Sequence, residues 1–383
     1  MLCPIRHFLR NIWTNRISPP VWRRNFSKNR GNYRKEVAEL AHKRVLVAMS
    51  GGVDSSVAAL LLQKQGYCCD GAMLRLYDDG QSAQADGQYV AQQLGMSFAV
   101  FDERSRFERE VMAHFVAEYC AGRTPNPCID CNRCLKFGAL LDTALAQGYD
   151  YLATGHYARI DFDTATGRYL LRRGVDRQKD QSYVLYQLTQ HQLSHLLLPV
   201  GAYGKEAIRQ QAMQAGLVNA QRPDSQDICF VPDGDYVAFL ERSGVHLQPG
   251  DFVDKDGVVL GRHRGLPCYT TGQGKGLGIS LGRHVYVVRK NAADNTIVLG
   301  DNEALFTNTL TASRVNWIAL AQPTAPFRCT AKTRYSQRES PCTVYPNGTA
   351  MQVVFDTPQR AITAGQAVVL YDGDTVIGGG TIM

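Results

Sequence analysis

The chain has 383 residues, 44% of them hydrophobic and 20% charged, which is the balance of a globular protein with room for two or three domains. No apolar run approaches the roughly 18 residues that a membrane-spanning helix needs, so the sequence excludes such a helix and predicts no membrane partner. The formal net charge of +7 is concentrated at the amino terminus, because the first 35 residues hold seven Arg and two Lys. Without these nine, 33 basic residues face 35 acidic ones, so a polyanionic partner must be bound by local basic patches.

Residues 1–43 form a basic leader that we predict to be disordered. No acid precedes Glu36, and an Arg-rich, acid-free amino terminus is typical of a mitochondrial transit peptide. The alternative is an extension that results from an upstream start codon and has no function. We predict a cytoplasmic protein and keep the mitochondrion as the alternative compartment.

From residue 44 the pattern is that of an α/β domain. RVLVAM (44–49) is a short apolar run typical of a strand covered on both faces, and a helical pattern follows it until Gly66. Further strands are predicted at 71–77, 98–101 and 151–157. Four aromatic and aliphatic residues line one face of an intervening helix: Phe107, Val111, Phe115 and Tyr119. This alternation predicts a doubly wound parallel sheet, whose ligands bind beyond the carboxyl ends of the strands.

Beyond about residue 235 the long helical patterns end. Short segments broken by Gly and Asp follow, and from about residue 305 several β-rich runs predict a small antiparallel β-barrel. We therefore predict an α/β domain over 44–235, a small central domain over 236–304 and a carboxy-terminal barrel over 305–383.

SGGVDSS (50–56) lies between the first predicted strand and its helix. Paired glycines allow backbone N–H groups to turn toward an anion, and the helix amino terminus adds positive potential, so the segment predicts a phosphate-binding loop. It is not a Walker loop, because that motif needs a Lys that is missing here. The loop resembles instead the PP-loop of ATP pyrophosphatases, which cleave ATP between its α and β phosphates. In that resemblance Asp54 helps to hold Mg²⁺ on the pyrophosphate; the alternative is an acid favoured at a helix amino terminus.

Eleven cysteines are scattered along the chain without the pattern of a disulfide framework, which favours a reducing compartment. Three of them are evenly spaced in TPNPCIDCNRC (124–134), at Cys128, Cys131 and Cys134. This spacing is compatible with part of a metal site, with a redox pair or with a nucleophile and bystanders. The spacing alone does not decide among these.

Five motifs occur in the order found in one enzyme family: SGGVDSS, TPNPCIDCNRCLKFG, ATGHYAR, KDQSYVLY and PDSQDICFV. Together they resemble the tRNA-specific 2-thiouridylases, the MnmA/TrmU family of the PP-loop ATP pyrophosphatase superfamily. The resemblance extends from about Arg44 to the carboxy terminus. It implies an ATP-dependent tRNA sulfurtransferase that adenylates O2 of the wobble uridine in the anticodon loop and forms 2-thiouridine, AMP and diphosphate.

The resemblance also implies roles for single residues. Cys229 carries a persulfide and Cys131 assists sulfur release, which leaves a transient Cys131–Cys229 disulfide. Such a pair requires accessible thiols of lowered pKa. The implied nucleotide contacts are Ala48, Met49, Ser50, Gly51, Gly52, Val53, Asp54, Ser55, Leu74 and Gly155. A sulfur-donor protein, such as a cysteine desulfurase or a sulfur relay, is the implied partner.

Cys128 departs from the pattern of many relatives, which have Asp at this position. A thiol is a softer ligand than a carboxylate, so the change favours a second mechanism. In it, Cys128, Cys131 and Cys229 bind three irons of a 4Fe–4S cluster and the fourth iron holds the sulfur to be transferred. The persulfide relay and the cluster remain open at this point.

The implied tRNA contacts lie in both halves of the chain: Asn126, Pro127, Cys128, His156, Lys179, Asp180, Gln181, Arg334, Tyr335 and Gln366. The first three would flank the target base, which must be flipped out of the stacked anticodon loop before O2 can react. An aromatic beside a cation, as in Arg334 and Tyr335, suits stacking and phosphate contact. Two other functions fit parts of the sequence: a PP-loop ligase or amidotransferase acting on a small molecule, and a non-enzymatic iron–sulfur or zinc RNA-binding module.

Overall fold

The computed structural model describes residue 40 and residues 42–77, 82–223 and 228–383. The predicted leader lies almost entirely outside the described residues, as does most of the PDSQD part of the motif that precedes Cys229. Within the described part of the chain, every helix is too short or too polar to cross a bilayer.

A five-stranded parallel sheet forms the amino-terminal domain, in the order β3-β2-β1-β4-β7. Its strands are β1 (Arg44–Ala48), β2 (Cys68–Arg75), β3 (Phe98–Asp102), β4 (Tyr151–Ala153) and β7 (Leu196–Leu197). Val45 and Val47 belong to the core on one face of the sheet and Leu46 to the core on the other. The doubly wound α/β fold predicted from the sequence is therefore confirmed, since the apolar run 44–49 is buried on both faces.

Helices cover both faces of this sheet, and the first of them begins directly after the phosphate-binding segment. The α-helices are α1 (Val53–Gln65), α2 (Ser82–Gln93), α3 (Arg104–Phe107), α4 (Ala113–Cys120), α5 (Pro127–Asp130), α6 (Leu141–Ala146), α7 (Gln190–Ser194), α8 (Lys205–Gln214) and α9 (Tyr236–Arg242). Two segments have π-helical hydrogen bonding, Glu108–Met112 and Cys131–Leu140, and four are 3₁₀-helical, Ser182–Leu185, Pro199–Ala202, Leu266–Cys268 and Asn302–Leu305. Helix α1 ends where the sequence predicts, because Gly66 adopts φ of 102° and donates its N–H to the last carbonyls of the helix.

The predicted apolar helix face is also confirmed, although a π-helical segment interrupts the helix. Phe107 and Phe115 pack edge-on against Phe230, with ring centroids 5.5 and 5.3 Å apart. Because Phe230 follows Cys229 in the chain, this aromatic cluster fixes the backbone on one side of that thiol. The aromatic residues thus connect the helix 104–120 to the second cysteine segment.

The central domain is a four-stranded sheet in the order β10-β11-β8-β9. Its strands are β8 (Gly250–Val253), β9 (Val259–His263), β10 (Tyr286–Asn291) and β11 (Thr296–Gly300). Phe252, Tyr269 and Ile297 form the centre of its core.

The carboxy-terminal domain is a closed antiparallel barrel, as the sequence predicts. Its strands are β12 (Phe306–Trp317), β13 (Phe327–Lys332), β14 (Ser340–Asn347), β15 (Ala350–Arg360), β16 (Ala367–Asp372) and β17 (Thr375–Ile382), and β12 pairs with both β15 and β17. A hairpin from the amino-terminal half, β5 (Ala158–Asp163) and β6 (Arg168–Arg173), joins the same sheet beside β17. The barrel is therefore hydrogen-bonded to the α/β domain through Thr375 and Arg172.

Candidate active site

The phosphate-binding loop lies at the topological switch point of the parallel sheet. From β1 the chain proceeds outward to β2 and β3 and then returns to β4 on the other side, so a crevice opens between the carboxyl ends of β1 and β4. Ser50 follows β1 and Gly155 follows β4, so both reach this crevice. The predicted position of the nucleotide site, beyond the carboxyl ends of the strands, agrees with this topology.

Hydrogen bonds within SGGVDSS hold the loop in one shape. The Ser55 hydroxyl accepts the N–H of Ser50 at 3.2 Å and donates to the Gly52 carbonyl at 3.0 Å. No side chain caps helix α1 at Gly52, so its first N–H groups are open to an anion. Asn219, which follows helix α8 in the chain, donates its side-chain N–H to the Gly51 carbonyl at 2.8 Å. These contacts preorganise the backbone donors for phosphate.

At two positions near the loop only glycine fits, because the backbone of another segment lies too close to leave room for a Cβ. Gly51 has φ of +76°, and a Cβ there would collide with the backbone of Ala83. A Cβ on Gly155 would lie 2.6 Å from the amide nitrogen of Ser55, against the first turn of α1. Gly155, predicted as a nucleotide contact, therefore also packs directly against the backbone of the phosphate loop.

Asp54, the predicted Mg²⁺ carboxylate, is bound by two partners from elsewhere in the chain. The Lys205 ammonium lies 2.8 Å from each carboxylate oxygen, and the Tyr157 hydroxyl donates to Oδ1 at 2.6 Å. Lys205 is buried at the start of α8, whereas the Asp54 side chain retains 29% exposure. A carboxylate with an exposed edge beside a phosphate loop fits the oxygen ligands that Mg²⁺ prefers. Sequence reasoning missed Lys205, because no local motif links it to Asp54.

The thiols implied by the resemblance come from two segments that meet in one cluster. Asn126 caps helix α5, since its side chain accepts the N–H of Cys128 at 3.2 Å, and Pro127 occupies the first helical position. Cys131 is buried in the aromatic cluster that also contains Phe230. Cys128 and Cys229 are exposed, and every cysteine in the described residues is a free thiol. Charge on Cys131 or Cys128 would raise the pKa of Cys229, so the three side chains interact electrostatically.

The described residues contain no group of three or more His, Cys, Asp or Glu side chains placed to hold a metal ion. In this arrangement Cys128, Cys131 and Cys229 do not fit the ligand set of an iron–sulfur cluster. The three side chains are therefore free thiols in this structure.

The electrostatic surroundings keep these thiols protonated. Desolvation by the surrounding residues raises the pKa of Cys229 to about 12, although its side chain is partly accessible to solvent, and it also raises the pKa of Cys131 and of Cys128. The lowered thiol pKa that such a pair requires is not found in this conformation, because desolvation outweighs the nearby positive charge. Lys136 opposes the effect, since its ammonium lowers the pKa of all three thiols. Lys136 lies five residues after Cys131 in the π-helical segment, about one helical turn from that thiol.

We expect the alkylation of Cys229 by iodoacetamide in the metal-free, tRNA-free protein to accelerate throughout the range from neutral pH to about pH 10. Since the thiolate reacts and the pKa of Cys229 is about 12, the rate should rise about tenfold per pH unit without a plateau. Mass spectrometry of the alkylated peptides measures this rate. A plateau near the ordinary thiol pKa of roughly 8.5 would contradict the prediction.

The predicted tRNA residues occupy different environments. Tyr335 is 40% exposed and interacts electrostatically with Cys128, so this barrel residue faces the cysteine segment. The Arg334 guanidinium is partly buried and donates to the Ala361 carbonyl at 2.6 Å. His156 is buried, and desolvation lowers its pKa well below the usual range. Its ring packs 5.6 Å from the Phe137 ring, and the contact of His156 with RNA stays a prediction.

Side chains of the loop 179–181 also stabilise the backbone of neighbouring segments through hydrogen bonds. Asp180 accepts the N–H groups of Gly174 and Ser182, and the Gln181 side chain accepts the N–H of Tyr157 at 3.0 Å. Both acceptors therefore shape the backbone around the site. Lys179 is half-buried, and nothing in its surroundings tests the predicted contact with tRNA.

Comparison with known proteins covers nearly the whole described chain. Residues 43–233 match a family model described as tRNA methyl transferase HUP domain, residues 238–301 a tRNA methyl transferase PRC-barrel domain, and residues 307–382 an aminomethyltransferase beta-barrel domain. A tRNA-specific 2-thiouridylase of Acetivibrio thermocellus is 48% identical over 90% of this chain and 100% of its own length. One of Carboxydothermus hydrogenoformans is 49% identical over 90% of this chain and 98% of its own length. Among solved structures, a 4-thiouridine synthetase–RNA complex with bound ATP aligns over 52% of this chain and 50% of that chain. The identity is 14% and the TM-score is 0.34, so the likeness is weak.

Proposed function

The chain belongs to the family of tRNA-specific 2-thiouridylases, and from that premise we propose how its own residues thiolate tRNA. The predicted activity, ATP-dependent tRNA sulfurtransfer with formation of 2-thiouridine, is confirmed at this level. ATP and Mg²⁺ are accordingly used, and tRNA is the substrate. The alternative of a PP-loop enzyme that acts on a small molecule is not supported.

ATP binds with its phosphates on the loop Ser50–Ser55. The open N–H groups at the start of α1 and the carboxylate of Asp54 support this placement. Uridine O2 then attacks the α-phosphorus and diphosphate leaves, which converts a poor leaving group into AMP. Asp54, whose side chain is 29% exposed, is the residue that would hold Mg²⁺.

The sulfur is carried as a persulfide on Cys229. The Cys131 thiolate attacks the inner sulfur, a Cys131–Cys229 disulfide forms, and the released hydrosulfide attacks C2 of the adenylated uridine and expels AMP. A cellular dithiol then reduces the disulfide. The observation that carries this proposal is the meeting of the two cysteine segments in one aromatic cluster. Because the pKa of the Cys131 thiol is raised in the resting protein, its proton must be lost before the thiolate attacks, and the Lys136 ammonium favours that loss.

A shared electrostatic neighbour, Lys136, supports the proposal that the phosphate loop and the thiols belong to one site. The Lys136 ammonium lowers the pKa of His156 as well as that of the thiols, and the neighbouring Gly155 packs on Ser55. Lys136 therefore lies close enough to His156 and to the thiols to act on all of them electrostatically. Tyr335, which faces Cys128, is suited to stack on a flipped base.

Three finer assignments complete the proposal. The sulfur donor is a cysteine desulfurase or a relay protein that delivers persulfide to the exposed Cys229. The tRNA is bound through its anticodon loop, with the wobble uridine flipped toward Cys128. The compartment is the cytoplasm, and the mitochondrion is the alternative.

Single-turnover thiolation tests this function. Iron-free protein loaded with persulfide is mixed with ATP, Mg²⁺ and unmodified tRNA, and 2-thiouridine, AMP and diphosphate are measured together. We expect one AMP and one diphosphate for each 2-thiouridine formed. Diphosphate release without tRNA would favour the small-molecule ligase, and thiolation only in protein that contains iron and sulfide would favour the cluster mechanism.

A further inference from the structure

A loop of the carboxy-terminal barrel contacts the segment that precedes the catalytic cysteines. The Thr124 N–H donates to the Ala364 carbonyl at 2.9 Å. The side-chain amide of Gln366 donates to the Thr124 carbonyl at 2.7 Å and to the Pro125 carbonyl at 3.4 Å. These contacts join residues about 240 positions apart, directly before the helix that carries Cys128.

The backbone of this segment depends on the barrel for its hydrogen bonds. Pro125 and Pro127 have no N–H, so the segment cannot form regular secondary structure of its own. The Asn126 carbonyl accepts the N–H of Ile129 in helix α5, whereas the two preceding carbonyls are bound by Gln366. Since Pro125 is buried, loss of that donor would leave polar atoms without partners in a dry environment.

Gly365 permits the close approach of the two segments. Its φ is +89°, and a Cβ at this position would lie 2.9 Å from the Thr124 nitrogen and 3.0 Å from Cβ of Arg123. A side chain there would be strained and would also displace Thr124.

Both ends of the contact are fixed. On the barrel side, the Gly365 N–H donates to the Ile382 carbonyl, and the Ile382 N–H donates to the Gln366 carbonyl, so strand β17 holds the loop. On the other side, the Arg123 guanidinium donates to the Glu118 carboxylate at 2.7 Å. The contact is therefore a rigid connection between the barrel and the cysteine segment.

We propose that Gln366 is a positioning residue, which holds Thr124 and Pro125 so that Asn126 can cap helix α5 and place Cys128 and Cys131 for sulfur transfer. The inference rests on the proposed function for its consequence in catalysis, but the contact itself is independent of tRNA. It differs from the implied role of Gln366 as a tRNA contact, because both carbonyls that accept from its amide nitrogen belong to the protein. Through this residue, a tRNA bound to the barrel would act directly on the cysteine segment.

The experiment compares Gln366→Ala and Gln366→Glu with a matched control, Gln352→Ala, an exposed glutamine on the same barrel. Glutamate keeps the size of the side chain but has no N–H to donate. Hydrogen exchange of the peptide that contains Thr124 is measured without tRNA, and kcat and tRNA affinity are measured separately. We expect the Thr124 amide to exchange about tenfold faster or more in both Gln366 variants. We expect kcat to fall about tenfold to a hundredfold, with tRNA affinity nearly unchanged.

The possible results distinguish a positioning role of Gln366 from a direct contact with tRNA. Unchanged exchange with weaker tRNA binding would show that Gln366 is a tRNA contact only, and would overturn the inference. If Gln366→Ala and Gln366→Glu do not fold, Gln366→Met replaces them, because methionine keeps the length of the side chain without an N–H donor. Faster exchange at Thr124 in that variant supports the inference, and unchanged exchange overturns it. A wild-type protein that forms no 2-thiouridine would refute the proposed function, whereas the exchange result, obtained without tRNA, would still decide the positioning contact.

Discussion

Replacement of Cys229 by serine is expected to lower 2-thiouridine formation by about three orders of magnitude or more, because a hydroxyl cannot carry the transferable sulfur. Cys229 is exposed, so the folded state should lose no more than about 0.5 kcal/mol. ATP binding at the loop Ser50–Ser55 should remain, since the variant changes no group there. Nucleoside mass spectrometry of the product tRNA measures the loss.

Cys120→Ser is the matched control, since Cys120 is also exposed and lies outside the proposed chemistry. Comparison with Cys131→Ser separates the two roles. The Cys131 variant should still gain one sulfur atom from a persulfide donor, detected by intact mass, but should not transfer it. The Cys229 variant should not gain it at that position. Normal thiolation by Cys229→Ser would remove the persulfide assignment.

Replacement of Lys205 by methionine is expected to affect both stability and catalysis. Asp54 would keep the hydroxyl of Tyr157 but lose a cation that lies 2.8 Å from both of its oxygens. Breaking a fully buried pair costs roughly 3–5 kcal/mol, and because Asp54 is partly exposed we expect a loss of about 2 kcal/mol in the free energy of unfolding. Urea denaturation measures this loss.

The catalytic effect should be larger than the effect on stability. Without Lys205 the carboxylate can turn away from the phosphate loop, and a preorganised charge beside the triphosphate is lost. We expect the rate of AMP formation to fall about a hundredfold or more. Lys205→Arg should recover most of the stability, because a guanidinium can bind the carboxylate with two hydrogen bonds.

Lys255→Met is the control for removal of a lysine, since Lys255 forms a surface ion pair with Asp256. A double-mutant cycle with Asp54→Asn isolates the pair. If the effects of Lys205→Met and Asp54→Asn on stability simply add, the ion pair contributes nothing and the interpretation fails.

The cysteine variants and the Lys205 variants probe different parts of the proposed site. The cysteine variants test the transfer of sulfur, and the Lys205 variants test the activation of uridine by ATP. Gln366 connects the barrel to the first of these parts. Hence Gln366 variants should resemble weak cysteine variants and should leave ATP binding normal.

Several features of the protein are determined by the sequence alone. The apolar run 44–49 predicts a doubly covered strand, Gly66 predicts the end of the first helix, and SGGVDSS predicts an anion-binding loop. The predictions of the strand and of the helix end are confirmed, because each depends on hydrogen bonding and burial within a few neighbouring residues. The β-rich runs after residue 305 likewise predict a barrel, which β12 closes by pairing with β17.

Tertiary structure decides which side chains meet. Lys205 is 151 residues from Asp54, and Gln366 is 242 residues from Thr124, so no local spacing could reveal either pair. The pKa of Cys229 is likewise decided by packing, because partial desolvation by residues brought beside it raises the pKa of this thiol. A motif specifies which chemical groups are present, whereas their charge and position depend on desolvation and on partners that only the folded chain brings within contact.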